Sequence, residues 1–398
     1  MPRVNPEIIR WARETAELTL EEAAGKLDLQ QARGVSAADR LAALESGDAE
    51  PTRSLLVRMA KQYRRPLLTF YMSAPPRKGD RGQDFRTLPV DYSDTEEALL
   101  DALIRDVKAR QGMVRAMLED EEETAPLPFV GSMTRSQGAR AILSSIQETL
   151  RLDRAEFHAK ASASEAFALL RDRVEAAGIF VLLMGDLGSW HTTMDVTTFR
   201  GFALADDIAP FIVVNDQDAR SAWSFTLLHE LVHIWLGQTG VSGERGEMSI
   251  EKFCNDVASD FLLPSSQLKQ LDVDRTTDLN SVQKQIGKFA QNHNVSASMV
   301  AYKLYRMGSI DVERWRRLSE TFHQMWIVQR EEERAKAREQ GKNPPVYYSV
   351  RRQRIGKALI QLVGAMMRAG AITTSKAGLV LGVKGKNVQT LIDPAGLS

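Results

Sequence analysis

The sequence predicts an α+β fold that is mostly α, with an all-α N-terminal domain, a central domain containing a small sheet, and a helical C-terminal region. Two observations support this prediction. Apolar residues recur at helical spacing through most of the chain, beginning at residues 8–16. Three short runs rich in apolar and β-branched residues have the length of strands, and they lie close together at 178–184, 197–203 and 210–215.

Length and composition limit the class of protein. The 398 residues allow about two to four domains, and 43% hydrophobic with 26% charged residues excludes a wholly disordered chain, a collagen and a disulfide scaffold. Basic and acidic residues balance at 52 each, so the net charge does not indicate a strongly polyionic partner.

The expected location is the cytoplasm, in soluble form. The single cysteine, Cys254, cannot form an internal disulfide, which suits a reducing compartment. The first 18 residues carry charges throughout and lack an apolar signal core, and no run of 18 or more apolar residues occurs. We therefore expect no membrane partner.

Changes in sequence character predict five segments. They are an all-helical domain at 1–75, a linker and helix at 76–135, the α+β domain at 136–310, a long charged helix at 311–345 and a basic helical domain at 346–398. Helices of the α+β domain are expected at 137–150, 163–177, 219–237, 249–263, 280–293 and 296–307.

The N-terminal helices carry recognisable start and stop signals. Thr19 and Glu22 form a capping-box pattern that opens one helix. A further helix at 37–44 is followed by the stop Glu45-Ser-Gly, and Pro51-Thr opens the next helix. This succession resembles an XRE-type (lambda-repressor-like) helix-turn-helix domain.

The helix-turn-helix resemblance implies a second helix that reads DNA. The candidate contact residues are Arg33, Ser36 and Arg40. Residues 1–75 contain eleven Lys and Arg and ten Asp and Glu. This net positive charge is small for autonomous DNA binding, because cationic contacts to phosphate supply much of the affinity. Docking onto a like domain of a protein partner, or self-association into a homodimer, is the alternative use.

The C-terminal end is more basic. Between residues 351 and 398, eight Lys and Arg stand against one acid, Asp393. Residues 372–391 could form a second small helix-turn-helix-like unit. The tail is therefore the better electrostatic candidate for DNA, although a solvated basic face is the plainer interpretation.

A histidine pair with metal-ligand spacing lies in the helix predicted at 219–237. His229, Glu230 and His233 form the pattern H-E-x-x-H. On an α-helix, residues i and i+4 share a face about 6 Å apart along the axis, so both imidazoles can reach one Zn²⁺. Surrounding apolar residues would bury this helix, which favours a metal site over a satisfied core pair. Glu230 can then act as the base on water, as a single-zinc peptidase requires.

The helix predicted at 249–263 offers two carboxylates as the third protein ligand. Glu251 is favoured because Glu reaches further than Asp from a helix axis, and because Asn255, one turn later, could hydrogen-bond a ligand. Asp260 is the competing carboxylate. Cys254 could supply a soft ligand but is interpreted as a small core residue.

Together these motifs resemble the ImmA/IrrE family of metallo-endopeptidases, in which an N-terminal XRE-type domain is a common arrangement. The resemblance is carried by the following residues: His229-Glu-Leu-Val-His233, then Glu251-x-x-x-Asn255-x-x-Ala258-x-x-x-Leu-Leu-Pro264, preceded by a strand ending in Val-Val-Asn215.

The resemblance implies a zincin-like central domain in which His229, His233 and Glu251 bind zinc and Glu230 is the catalytic acid and base. It also implies that the substrate is a repressor-type transcription regulator, often encoded nearby. Phe253-Cys254 departs from the small or polar residues usual at that point of the motif, which leaves the ligand set intact.

Two further roles are expected around the site. The strand predicted at 211–215 could align an extended substrate by edge pairing. A stabiliser of the oxyanion is also expected, and His293, Tyr302 and Arg306, on the helices after the site, are the candidates.

The first functional hypothesis is a zinc endopeptidase that cleaves a specific protein partner, a transcriptional repressor, and so controls stress-response or mobile-element genes. The alternative is a DNA-binding regulator that uses the peptidase-like domain as a sensor or docking module without turnover. The intact H-E-x-x-H motif favours the peptidase.

Overall fold

The computed structural model describes most of the chain. The described residues are 4–32, 34–65, 67–72, 74, 94–120, 124–196, 198–238, 246–273, 278–339 and 347–393. The predicted DNA contact Arg33 lies outside them, as do residues 76–93 and 121–123 of the predicted linker and helix.

Four helices form the N-terminal part. They are α1 (Pro6–Glu14), α2 (Leu20–Lys26), α3 (Ala37–Ser46) and α4 (Arg53–Gln62), followed by a 3₁₀ turn at Leu67–Tyr71. Their apolar faces meet in one core, in which Ile8, Leu41 and Met59 are fully buried. Helical spacing of apolar residues therefore located all four helices.

The predicted end signals of these helices are present. Thr19 Oγ1 accepts a hydrogen bond from Glu22 N–H at 3.2 Å, and the Glu22 carboxylate accepts from Thr19 N–H at 2.9 Å, which is a complete capping box. Helix α3 ends at Ser46, and Gly47 adopts the left-handed conformation that ends many helices.

The middle of the chain mixes helices with three strands, in the following order: α5 (Asp94–Glu119), α6 (Ala139–Leu150), α7 (Arg154–His158), α8 (Ala163–Ala176), β1 (Phe180–Leu183), β2 (Gly201–Leu204), β3 (Phe211–Val214), α9 (Arg220–Trp235), α10 (Gly246–Leu262), α11 (Ser265–Leu268), α12 (Leu279–Asn292) and α13 (Ala297–Arg306). The prediction of a mostly α chain with a small sheet is confirmed. Helices α7 and α11, of five and four residues, were not expected because they are too short to show a periodicity.

The sheet has the strand order β1-β3-β2. β1 pairs with β3 in parallel, with Phe180 opposite Phe211, and β2 pairs with β3 in antiparallel, with Gly201 opposite Val214. β3 is therefore the central strand. The prediction that 211–215 offers a free edge to a substrate is wrong, because β1 and β2 occupy both sides of that strand.

The C-terminal part is helical, as predicted. It consists of α14 (Val312–Glu339), α15 (Tyr347–Ile355), α16 (Lys357–Arg368), α17 (Thr374–Leu381) and α18 (Val388–Ile392). Several basic residues of the tail bind groups of the chain itself. Arg352 donates to the carbonyl of Leu391, Arg354 pairs with Asp216 at 2.6 Å, and Lys357 pairs with a carboxylate of α8 at 2.9 Å. These contacts use part of the charge that made the tail a DNA candidate.

The described residues form two compact units. The first holds α1 to α4, the N-terminal part of α5 and residues 186–194, and the second holds the rest of α5 and the other elements from α6 onward. The core of the second unit includes the buried faces of α9, α10 and the sheet. None of the described helices is long and apolar enough to cross a membrane.

Candidate metal centre

Helix α9 carries the H-E-x-x-H residues and is buried on all sides. Every residue from Thr226 to Trp235 is buried, because α8, α10, β2 and β3 pack around the helix. Its last carbonyls are satisfied from outside the helix: Gly131 N–H donates to Ile234 at 3.0 Å and Met133 N–H donates to Trp235 at 3.1 Å. Both motif histidines therefore lie on a firmly held element.

Helix α10 carries Glu251 and Asn255 and is held at its C-terminal end. Arg154, His158 and Lys303 all reach carbonyl oxygens of residues 259–263, and Lys303 Nζ donates to the carbonyl of Leu263 at 2.6 Å. Donors and cations at a helix C-terminus satisfy orphan carbonyls and complement the helix dipole. Sequence reasoning missed these three residues, since none of them belongs to a motif.

Three side chains from α9 and α10 form a triangle of potential metal ligands. His229 Nε2 and His233 Nε2 lie 3.2 Å apart, Glu251 Oε2 lies 3.1 Å from His229 Nε2, and Glu251 Oε1 lies 3.5 Å from His233 Nε2. A tetrahedral zinc ion with bonds of about 2.0–2.2 Å separates its ligand atoms by about 3.3 Å. The observed triangle therefore fits one such ion.

Asn255 orients the first histidine. Its Oδ1 atom lies 3.0 Å from Nδ1 of His229. An amide oxygen can only accept a hydrogen bond, so Nδ1 carries the proton and the lone pair of Nε2 is left for a metal. The structure thus places Asn255 where the sequence analysis expected a supporting contact.

Cys254 also lies close to the two histidines. The ligand atoms of His229, His233 and Cys254 all lie within 4.8 Å of one another, and Cys254 is fully buried in the core of the second unit. Both Glu251 and Cys254 are therefore near enough to be considered as the third ligand. The carboxylate has the stronger claim because its oxygens lie at the separation that a shared ion requires.

Glu230 lies between α9 and strand β2. Its side chain is buried, with the residue 1% exposed. A Cβ atom on Gly201 would lie 2.5 Å from Thr226 Cγ2 and 3.0 Å from Glu230 Oε1, so the missing side chain of this glycine makes room for the carboxylate. Gly201 was not singled out in the sequence, although a glycine inside an apolar strand is the usual sign of such a close approach.

The other candidate residues have different partners. Asp260, the competing carboxylate, accepts from Lys303 Nζ at 2.8 Å. His293 stacks on Phe289 with ring centroids 4.0 Å apart. The remaining pair bind each other, as Arg306 donates to the hydroxyl of Tyr302 at 3.0 Å. None of these contacts involves the motif histidines.

The described DNA candidates of the N-terminal region make contacts within the chain. Ser36 Oγ accepts from Asp39 N–H at 3.1 Å and donates to the Asp39 carboxylate at 2.7 Å, which makes it the N-cap of α3. Arg40 donates to the carbonyl of Gln30. Both side chains therefore already form hydrogen bonds within the chain.

Comparison with known proteins finds a family match in the central part of the chain. Residues 174–305 match the family model of the IrrE N-terminal-like domain of peptidase family M78, a span that runs from the end of α8 through α13 and contains the candidate metal centre. No curated protein and no solved structure matches the chain. The match indicates a metallopeptidase-like domain at these residues, while the helix-turn-helix interpretation of the N-terminal helices stays a prediction.

Proposed function

We propose that this chain is a zinc-dependent endopeptidase that cleaves a specific protein partner, a repressor-type transcription regulator, and thereby controls stress-response or mobile-element genes. The observation that carries the proposal is the triangle of donor atoms from His229, His233 and Glu251, with separations that suit one tetrahedral zinc ion. The match to a metallopeptidase family supports the chemistry, and the resemblance to the ImmA/IrrE enzymes supports the class of partner.

Each residue of the centre has a distinct role in this proposal. His229, His233 and Glu251 hold zinc, which when bound supplies Lewis-acid polarisation of the scissile carbonyl and makes water more acidic. Asn255 keeps the His229 ring in the productive orientation. Glu230 takes a proton from the attacking water and returns it to the amide nitrogen that leaves.

An extended substrate is best accommodated along β2. This strand pairs with β3 and with no other strand among the described residues, and Gly201 in it lies directly against Glu230. A peptide that adds to the far side of β2 would run past the glutamate in a fixed register, since main-chain hydrogen bonds set the position of each residue. This role replaces the one expected of 211–215.

The N-terminal helices serve recognition of the protein partner or of a second copy of the chain. Their charge is close to balanced, and Ser36 and Arg40 are held by intramolecular hydrogen bonds. DNA binding is the alternative. Salt-dependent binding of the full chain to its own promoter, unchanged by Glu230→Gln, would favour the alternative.

Co-expression tests the proposal. The wild-type chain and Glu230→Gln are each expressed with the products of adjacent genes, and intact regulators and fragments are identified by mass spectrometry. We expect about one zinc per chain in both proteins and a cleaved regulator only with the wild type. Absence of zinc at neutral pH, or equal cleavage by both proteins, would refute the proposal.

A further inference from the structure

The first compact unit contains a small polar cavity that the peptidase proposal does not use. Its volume is about 230 Å³, and it is lined by residues 15–18 after α1, by parts of α2 and α5, by the end of α4 with the two residues after it, and by His191. Tyr63 and Ala102 form buried parts of its wall, and Arg64 and Arg105 are the arginines that line it.

The guanidinium groups of Arg64 and Arg105 line this cavity, and that of Arg65 lies close enough for its charge to interact with Arg105. Arg65 lies beside Arg64 in the chain and is 6% exposed; its guanidinium stacks over Trp11 at 4.5 Å and donates to the hydroxyl of Thr15 at 2.7 Å. The charge of Asp101 acts on both Arg65 and Arg105, so two guanidinium groups share this carboxylate. Burial lowers the pKa of Arg65 to about 10 and is the main cause that lowers the pKa of Arg105, because desolvation disfavours a charged guanidinium.

Polar atoms at the cavity lack acceptors. Among the described residues, the Tyr63 hydroxyl and the Nε–H groups of Arg65 and Arg105 are buried with no hydrogen-bond partner. Tyr63 is only 1% exposed and lines the cavity, and burial raises the pKa of its hydroxyl, which therefore stays protonated. All three groups are donors, and two of them, Tyr63 and Arg105, line the cavity, so a ligand that fills it would have to supply an acceptor.

The two acidic residues that line the cavity do not supply this acceptor. Glu17 and Glu22 line it together with Lys26, but all three are exposed, where solvent and salt screen their charges. The Glu22 carboxylate already accepts from the backbone of Thr19 in the capping box.

We propose that this cavity binds a small oxyanion of the phosphate class, held by the guanidinium groups of Arg64 and Arg105 and by the hydroxyl of Tyr63. A phosphate group offers several acceptor oxygens to a fork of guanidinium donors and carries a negative charge that complements the arginines. A cavity of about 230 Å³ accommodates such a group with a small substituent. The proposal is independent of the peptidase activity.

A bound oxyanion would connect elements that are distant in the chain. Of the proposed ligands, Tyr63 is the C-cap of α4 and Arg105 lies on α5. A ligand that binds the folded form and not the unfolded chain stabilises the fold by mass action. The first unit is therefore expected to gain thermal stability when the cavity is filled.

Calorimetric titration of the full-length protein tests the site. The protein is exchanged into a phosphate-free chloride buffer and titrated at constant ionic strength with inorganic phosphate, and separately with glycerol 3-phosphate. We expect saturable binding at one site per chain, about tenfold or more weaker in Arg105→Gln and about three- to tenfold weaker in Tyr63→Phe. Arg58→Gln, which removes an exposed charge of α4 outside the cavity, should bind within about twofold of the wild type.

Tyr63→Phe separates loss of the site from loss of the fold. It removes an unpartnered buried hydroxyl and keeps the ring, so its thermal midpoint without ligand should equal or exceed that of the wild type. Phosphate should raise the midpoint of the wild type more than that of Tyr63→Phe. Tighter binding of glycerol 3-phosphate would identify an organic phosphate as the ligand, and tighter binding of inorganic phosphate would identify the free ion. Absence of saturable binding, or equal binding by the wild type, Arg105→Gln and Tyr63→Phe, would overturn the proposal.

Discussion

His229 Nδ1 and Asn255 Oδ1 lie 3.0 Å apart and join the two helices of the candidate metal centre. Because Asn255 can only accept at this oxygen, the contact selects the histidine tautomer that leaves Nε2 unprotonated. The same atom pair fixes the rotation of the imidazole ring. A neutral, correctly rotated imidazole is what a zinc ion would need from His229 in the proposed site.

Loss of the acceptor should weaken metal binding. In Asn255→Leu the His229 ring loses its partner, and zinc affinity should fall about 10- to 100-fold, as measured by competition with a chromophoric chelator. Asn255→Asp is the matched control, because it retains an acceptor at the same place and should stay much closer to the wild type. Equal affinities for Asn255→Leu and the wild type would contradict the assigned role.

Two variants can decide whether Glu251 or Cys254 is the third metal ligand. Glu251→Gln should lower zinc affinity strongly, by about 100-fold or more, since it replaces a charged donor in the triangle with a neutral amide. Cys254→Ser should leave zinc content unchanged, because the thiol is interpreted as part of the core. Cobalt substitution gives a second readout: a thiolate-to-cobalt charge-transfer band in the wild type that is absent from Cys254→Ser would reverse the assignment.

Local sequence signals located the helices and the histidine pair. The spacing of His229 and His233 could be interpreted without a structure because an α-helix places i and i+4 on one face whatever surrounds it. The capping box of Thr19 and Glu22 is equally local, since both hydrogen bonds lie within four residues. Glu251 could be singled out because the helix that carries it is regular.

Contacts between distant parts of the chain could not be predicted from such local sequence signals. All three strands are fully buried, so their composition does not show that β3 is the central one. At the end of α10, Arg154 donates to a carbonyl 107 residues away in the sequence, and Lys303 donates to one 40 residues away. No sequence motif predicts such contacts. The room beside Glu230 depends on the pairing that brings Gly201 against α9.

Gly201→Ala should damage the site through a clash. The added Cβ would lie 2.5 Å from Thr226 Cγ2, 2.8 Å from the carbonyl oxygen of Val213 and 3.0 Å from Glu230 Oε1, so β2 must shift relative to its neighbours β3 and α9. We expect a stability loss of about 1–3 kcal/mol and, because small displacements of a general base are costly, a loss of about 100-fold in cleavage of the regulator.

A matched glycine variant controls for the added methyl group. In Gly287→Ala on α12 the new Cβ meets nothing within 4 Å, so this variant should be as stable as the wild type or up to about 1 kcal/mol more stable. Denaturant unfolding measures the stabilities, and the cleavage assay measures the activity. Full activity in Gly201→Ala would show that Glu230 does not need this space.

His158 should make the stability of the second unit depend on pH. Its Nε2 lies 2.9 Å from the carbonyl of Leu262, and its ring lies 5.0 Å from that of His293. Burial is the main cause that lowers the pKa of His158 below its ordinary value of 6.5, with smaller contributions from His293 and Arg154 in the same direction. In the unfolded chain the imidazole keeps the ordinary value, so between the two pKa values the unfolded chain binds more protons than the folded one.

It follows that the contribution of His158 to stability is complete above about pH 6.5 and decreases as the pH falls toward the lowered pKa of the folded state. His158→Gln retains an amide donor for Leu262 but does not titrate. Urea unfolding of both proteins between pH 5 and 7.5 should therefore show the wild type losing stability relative to the variant as the pH falls, while the metal ligands and other carboxyls, common to both proteins, cancel in the difference. A constant difference across this range would mean that the folded protein admits a charged imidazole at the end of α10.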